Sequence, residues 1–309
     1  MLDPVLSAII VNASVLSLLT LGLTLTYLTT KVPNFAHASF AVVGIFVALT
    51  VSRVFFDNIY DSLVPSFLLG GITALLQYFL VLRPLTKRNA TIVTLMVATI
   101  AFDILLVSVF NIYADYLTNT FHVISRNFTL NYVDFFISGS QGVILVSPIM
   151  VAGVVIALYL LLNKTKFGIA MRATIENPPL AGAIGINTDR IYVASWFLAG
   201  GIAGLAGSLM PLWYQSYPEV GSDVFLLAIF AAAVLGGLYN IWGGLIGGII
   251  VGVTETIVIV ELAGVVGSWI IPYQPLIPLI VMITTLLIAP SGITGSNYSW
   301  LKKRLRRTK

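Results

Sequence analysis

Nine stretches of about 20 mostly apolar residues follow one another along this chain, at roughly 6–29, 38–56, 63–82, 91–113, 142–162, 191–213, 223–239, 242–264 and 270–289. A helix needs about 20 such residues to cross the hydrocarbon core of a bilayer. Runs such as "AIFAAAVLGGL" are apolar on every face, as a helix enclosed by lipid and protein should be. Only 9% of the residues are charged, against about a quarter in a soluble domain, so the chain cannot clothe a water-facing surface. The expected fold class is an all-α polytopic integral membrane protein with about eight to nine transmembrane helices. No connecting stretch exceeds about 30 residues, so residues 1–309 read as a single transmembrane domain without a soluble one. The opening stretch has no basic region and no convincing cleavage site, and reads as a first span rather than a removable signal.

Charge orients the spans. "RPLTKRN" carries Arg83, Lys87 and Arg88, and the polar stretch after the fifth span carries Lys164, Lys166, Arg172 and Arg190. The end carries Lys302, Lys303, Arg304, Arg306, Arg307 and Lys309. Together these hold 13 of the 16 Lys and Arg. An alternating path through nine spans puts all three groups on one side. The other side receives Arg53 and Arg126 with Asp57, Asp61, Asp115, Asp134, Glu219, Asp223 and Glu261. Basic residues accumulate on the cytoplasmic side, so the N-terminus is expected outside and the C-terminus inside. Residues 301–309 then form a basic cytoplasmic tail rather than a nucleic-acid arm. Residues 114–140 are placed outside, with room for a short interfacial helix. No residue-level repeat is evident.

Several polar groups fall inside the apolar runs. "TKVPNFAHASF" interrupts the first of them. Pro33 disfavours helix at Lys31–Val32 and can open a new one, so a broken helix is expected near 31–40. Broken helices at membrane depth line cavities, and Asn34 and His37 become candidates for the solute pathway; a structural break is the competing reading. Asp103 shares a stripe with Thr99 and Asn111 at multiples of four. That stripe lines a cavity or bonds a neighbouring helix. Gly244, Gly248 and Gly252 recur every four residues and make a flat face for close helix packing. Glu255 follows near the same face, so it points into the bundle; it either serves the pathway or fixes packing. "LIAPSGITG" reads as the end of the last span.

Much chemistry is missing. The chain has no cysteine and only two histidines, His37 and His122, so thiol chemistry is excluded and a histidine-rich metal site is not expected. No G-x-x-x-x-G-K-[ST] phosphate loop and no H-E-x-x-H occur. No G-x-S-x-G accompanies Ser39 near His37. No cofactor is expected, and the chain does not read as an enzyme. Energy for uphill transport would come from an ion gradient or from another subunit.

Five segments in register resemble the permeases of branched-chain amino acid ABC importers, over nearly the whole chain. "NFAHASF" is similar to the family's motif after the first span, with Ala38 where the family has glycine. "LRPLTKRNATIVTLMVATIAFDIL", "RATIENPPLAGAIGINTDR", "AAAVLGGLYNIWGGLIGGIIVGVTE" and "APSGITG" resemble its later motifs, and the LivH-type subunit is the nearest in character. The resemblance implies that residues 163–190 form a cytoplasmic coupling loop that docks on an ATPase, through Arg172, Glu176, Leu180, Ala181, Ile184, Gly185 and Asn187. A short helix is expected around Pro179–Ile184, entered after Asn177 and closed near Gly185, with Leu180 and Ile184 on one face. Pro178 and Pro179 are unusual for the family's segment and should shorten or kink it. The implied partners are two cytoplasmic ABC ATPase subunits, a second permease subunit (LivM-like), an extracytoplasmic substrate-binding protein and the lipid bilayer, with no nucleic acid. The implied location is a prokaryotic plasma (inner) membrane. The rival reading is an ion-coupled secondary transporter of small polar solutes, with Asp103, Glu255 and His37 as coupling groups. A channel or a structural membrane subunit is a further alternative. Relatives of similar sequence carry urea, short amides or other amino acids, so the solute stays open.

Overall fold

The computed structural model describes residues 3–295 apart from Asp57 and Ser138, so the basic tail expected at 301–309 lies outside the described residues. The helices run α1 (Pro4–Thr30), α2 (His37–Arg53), α3 (Ile59–Lys87), α4 (Ile92–Phe121), α5 (Val143–Lys164), α6 (Lys166–Glu176), α7 (Pro178–Ala183), α8 (Thr188–Leu212), α9 (Gly221–Gly236), α10 (Ile241–Val266) and α11 (Leu276–Gly295). Polar residues start many of them. Asp3 accepts from Val5 N at 3.0 Å ahead of Pro4, and Thr91 caps α4 through Thr94 N. Asn187 caps α8 and Asn240 caps α10 in the same way. Among the described residues, seven helices (α1, α3, α4, α5, α8, α10 and α11) are long and apolar enough to cross a bilayer. The nine expected crossings are thus seven full spans and two shorter apolar helices, α2 and α9.

The shortness of α2 and α9 has a common cause. At about 1.5 Å per residue, α4 is about 45 Å long, whereas α2 and α9 are each about 25 Å. α1 closes at Lys31, whose backbone is left-handed (φ 56°). Residues 31–36 then turn back into the bundle as a non-helical segment. α2 starts inside, with His37 Nε2 2.9 Å from the Leu19 carbonyl and its ring against Gly22. From there α2 runs to the face that carries Asp61 and Asp115. Residues 213–220 make the converse move from that face. α9 starts where Gly221 meets the Ala38 carbonyl, and it runs to the face of Arg83 and Arg172. Each break carries a proline, Pro33 and Pro218. Two half-length helices therefore meet N-terminus to N-terminus about halfway through the bundle.

This arrangement is an inverted repeat. α1–α2–α3–α4 and α8–α9–α10–α11 share the order long, short, long, long, and they run in opposite directions. α1 packs most extensively against α10, and α8 against α3, as a two-fold in the membrane plane requires. α1 and α8 are the most enclosed of the long helices; in α1, Leu16, Leu18, Leu19 and Leu21 have no exposed surface. Its hydroxyls return to its own backbone, Ser17 to Ala13 O at 2.6 Å and Thr20 to Leu16 O at 2.6 Å, so they cost little in an apolar surround. Val93, Val97, Ile104 and Ile112 of α4 point outward, like the apolar faces of α3, α5 and α11.

α4 continues to Phe121, beyond the expected end at 113. Instead of an interfacial helix, the following segment holds a short turn at Asn131–Val133 and a two-residue hairpin, Phe136–Ile137 with Ser140–Gln141. It is pinned to the second break. Phe128 and Ser216 exchange two backbone hydrogen bonds, and Leu130 N donates to Pro211 O at 2.6 Å. Asp134 is buried and accepts from Tyr60 Oη at 2.7 Å and Val143 N at 2.9 Å.

Glycine sets the interhelix distance. A Cβ at Gly207 would lie 1.8 Å from Ala41 O, and one at Gly204 2.1 Å from Ser66 O, so α8 touches the α2 and α3 backbones directly. Gly248 and Gly252 meet the α1 backbone at Ser17 and Ala13, and Gly244 meets Thr24. Gly207→Val is therefore expected to destabilise the detergent-solubilised protein by about 1–3 kcal/mol, the usual effect of overpacking. Gly153→Val, where a Cβ meets nothing within 4 Å, should leave the thermal unfolding midpoint unchanged. Equal midpoints for the two variants would show that close packing at Gly207 is not limiting.

Candidate functional site

Chain breaks at membrane depth leave backbone groups that water cannot reach, and each needs a partner. In the first break, Phe35 N donates to Thr99 Oγ1 at 3.2 Å and Ala36 N to Asn34 Oδ1 at 3.2 Å. Gln77 Nε2 donates to the same Asn34 oxygen at 2.8 Å. Asn34 and Gln77 are fully buried, and Asn34 Nδ2 and Gln77 Oε1 have no partner among the described residues. In the second break, Glu219 accepts from Asn111 Nδ2 at 2.6 Å. Arg126 donates to Asn111 Oδ1 at 3.0 Å and pairs with Asp115 at 2.8 Å.

Between the breaks stands Asp103 of α4. One carboxylate oxygen accepts from Ser39 Oγ at 2.5 Å, the other from Ser222 Oγ at 2.8 Å. Ser39 is in the first turn of α2 and Ser222 in the first turn of α9. Both helix N-termini present unpaired N–H groups and a partial positive charge, and a carboxylate beside them complements both. The stripe Thr99–Asp103–Asn111 therefore serves the first break, the junction and the second break in turn. Asp223, beside Ser222, is exposed at this junction rather than in an outer loop as the span count implied; α9 begins inside the bundle because the Pro218 segment re-enters.

The structure brings Asn34, His37 and Asp103 into one cluster and leaves Glu255 elsewhere. His37 has no exposed surface, so its ring faces the Leu19 carbonyl and no open cavity. Glu255 lies near the opposite end of α1, accepting from Gln274 Nε2 at 3.1 Å. A cavity of about 340 Å³ opens there, lined in part by Asn12, Tyr214, Thr256 and Gln274. Tyr214 Oη donates to Asn12 Oδ1 at 2.9 Å, and Asn12 Nδ2 to Thr256 Oγ1 at 3.0 Å. Sequence reading missed Ser222, Asp223 and the α8 glycines. "YPEVGS" repeats the proline break of "VPNFAHAS", and "GGIAGLAGS" repeats the small-residue spacing seen in α10.

The basic face carries the other candidate site. Asn177 Oδ1 accepts from Leu180 N at 3.1 Å, and Pro178 and Pro179 occupy the first turn of α7. Gly185 ends the turn at φ +91°. Leu180 and Ile184 are 60% and 69% exposed and form an apolar tip. Ala181 is buried at 2%, so it packs α7 onto the bundle and offers no outward contact. Arg172 turns inward and donates to Leu162 O at 2.6 Å. Asn187 is engaged as the α8 cap. Arg83 and Asp189 pair across this face at 2.6 Å.

Residues 5–306 match the family described as branched-chain amino acid transport system permease component. The chain belongs to that family. It is 45% identical, over 97% of its own length and 95% of the relative's, to a protein of Methanocaldococcus jannaschii described as a probable branched-chain amino acid transport permease protein LivH. It is 27% identical over 91% of its length, and 92% of the relative's, to the LivH permease of the high-affinity branched-chain amino acid system of Escherichia coli. The PsaBC structure from Streptococcus pneumoniae shares its fold at TM-score 0.52 and 10% identity, over 94% of this chain and 93% of that one. The chain is thus a multi-pass membrane protein and a permease subunit of an ABC importer, a transport component rather than an enzyme. Its family works with ATPase and substrate-binding protein partners. The ion-coupled reading is not favoured.

Asp103→Ala removes two hydrogen bonds to a charged group, about 1.5–3 kcal/mol each. It should lower the unfolding midpoint more than Ser39→Ala or Ser222→Ala alone. A midpoint for Asp103→Ala equal to that of native protein, measured by thermal shift in detergent, would show that the junction does not hold the half-helices.

Proposed function

We propose that this chain forms half of the translocation pathway for branched-chain amino acids or closely related small amino acids. Its basic face, with the C-terminus, lies in the cytoplasm of a prokaryotic cell, inside the plasma (inner) membrane. Two ATPase subunits and a second, LivM-like permease complete the assembly, and an extracytoplasmic binding protein delivers the solute to the opposite face. The names of the relatives support the cargo, and the basic residues of the 83–88 and 164–190 segments support the orientation.

The observation that carries the coupling role is the tip of α7. Two large apolar side chains, Leu180 in α7 and Ile184 at its C-cap, are exposed at the end of a helix capped by Asn177. A soluble partner with an apolar groove is what such a tip complements. Arg172 and Ala181 tie the tip to the bundle, and Gly185 and Asn187 lead it into α8. Motion of an ATPase pair thereby reaches α8, which touches the α2 and α3 backbones. Glu176 lies at the end of α6, beside the cap. Asn34, His37 and Asp103 hold the half-helices in place along the pathway, and the exposed Asp223 faces the solute. Glu255 lies behind the outer cavity and holds Gln274 of its lining. The ATPases bias the two arrangements only through their different affinities for each.

Leu180→Asp with Ile184→Asp tests the reading. Native chain in mild detergent should retain ATPase subunits and a second permease. The double variant should lose the ATPases, and ATP-driven uptake of labelled leucine in cells should drop at least about tenfold, a loss of about 1.4 kcal/mol or more. A variant that keeps its ATPases and transports normally would overturn the coupling role of the tip.

A further inference from the structure

The basic face also carries a groove that shares Arg172 and Glu176 with the coupling segment. Between α6 and the ends of α1, α5 and α10 lies a groove of about 540 Å³, within the ordinary range for small-ligand sites of about 300–1,000 Å³. Its floor is apolar and buried, with Leu28, Leu162, Met171 and Ile241. Its rim carries Lys31, Arg172 and Glu176. Lys31 occupies the left-handed position that ends α1, where glycine would sit at less cost. Its ammonium lies 5.5 Å from the centre of the Tyr239 ring. Arg172 is held by Leu162 O. Among the described residues, no ion pair joins Lys31 or Arg172 to Glu176, although all three line the same groove.

Opposite charges held apart above an aliphatic floor are the complement of one class of ligand. We propose that this groove is a second binding site for a zwitterionic α-amino acid with an aliphatic side chain. The carboxylate meets Lys31, the ammonium meets Glu176, and the side chain lies on Leu28, Leu162 and Ile241. An anionic lipid headgroup fits less well, because Glu176 repels a phosphate. The proposal rests on the reading of the basic face as cytoplasmic and of the cargo as an aliphatic amino acid. Under that reading the ligand is the transported solute itself, met after release.

The position gives the site a consequence. Lys31 closes a transmembrane helix, and Glu176 is the last residue of α6, next to the Asn177 cap of α7. A ligand that joins them fixes the coupling tip relative to the bundle. If its affinity is higher in one arrangement than in the other, it holds the transporter in that arrangement. Accumulated solute then slows its own import.

The test uses the full importer in liposomes, with ATP inside and binding protein and labelled leucine outside. Luminal unlabelled leucine should lower the initial uptake rate of the native complex several-fold. With Lys31→Gln the rate in the absence of luminal leucine should match native, and the half-inhibitory concentration should rise about tenfold, as expected for one lost charged hydrogen bond. Leucinol, without the carboxylate, and 4-methylpentanoate, without the ammonium, should not inhibit. Unchanged native uptake, equal inhibition of Lys31→Gln, or inhibition by 4-methylpentanoate as strong as by leucine would each overturn the site. Absence of any ATP-driven uptake would instead refute the import reading. Equilibrium dialysis of labelled leucine against the detergent-solubilised complex then decides the site separately: saturable binding weakened about tenfold by Lys31→Gln supports it, and binding that is absent or unchanged overturns it.

Discussion

Two helices that begin in the middle of a membrane protein leave their first-turn N–H groups facing each other, and one carboxylate answers both. Asp103 accepts from Ser39 of α2 and Ser222 of α9. A buried charge is expensive unless it is paired or fully hydrogen-bonded. Here the opposing charge is not a side chain but the partial charge of two helix ends, reached through two hydroxyls. The remaining polar residues of α4 extend the same service, Thr99 to the first break and Asn111 to the second. These contacts add to the ones the breaks make elsewhere, Asn34 with Gln77 and Ser216 with Phe128.

The breaks in turn require close packing around them. A re-entrant segment takes space that side chains would otherwise fill. The helices that flank it compensate by meeting backbone to backbone: α8 on α2 and α3 through Gly204 and Gly207, and α10 on α1 through Gly248 and Gly252. In lipid no hydrophobic force drives helices together, so packing of this kind and buried hydrogen bonds carry the association. The inverted repeat explains why the glycine seams come in two sets. Each half supplies one long helix that packs on the third member of the other half.

Local chemistry made parts of this readable from sequence. Asn177, two prolines and Gly185 define α7 within one turn of its observed limits, because caps act over three or four residues. Pro33 announced the first break for the same reason. The second break was hidden, since Pro218 falls between apolar runs and resembles an ordinary loop between two full spans. A count of full spans therefore puts Asp223 outside. Ala181 had no exposure signal, because a six-residue helix shows too little periodicity to separate its faces. The inverted repeat is a relation between folds of two segments and leaves only a proline and a few small residues in common.

The distribution of rigidity bears on how such a subunit transmits motion. Seams without Cβ atoms cannot slide by small amounts, because each atom displaced meets backbone. α1, α8 and the junction should therefore move as blocks, with change confined to where side chains or water intervene. α7 sits at such a place: its inner side is packed by Ala181 and its outer side is bare at Leu180 and Ile184. The Arg83–Asp189 pair crosses the same face between α3 and α8 and is partly exposed, so it can re-form in a second arrangement at modest cost. Under the proposed coupling role, a push at the tip is delivered to a stiff α8, and through α8 to the N-terminus of a half-helix at the centre of the membrane.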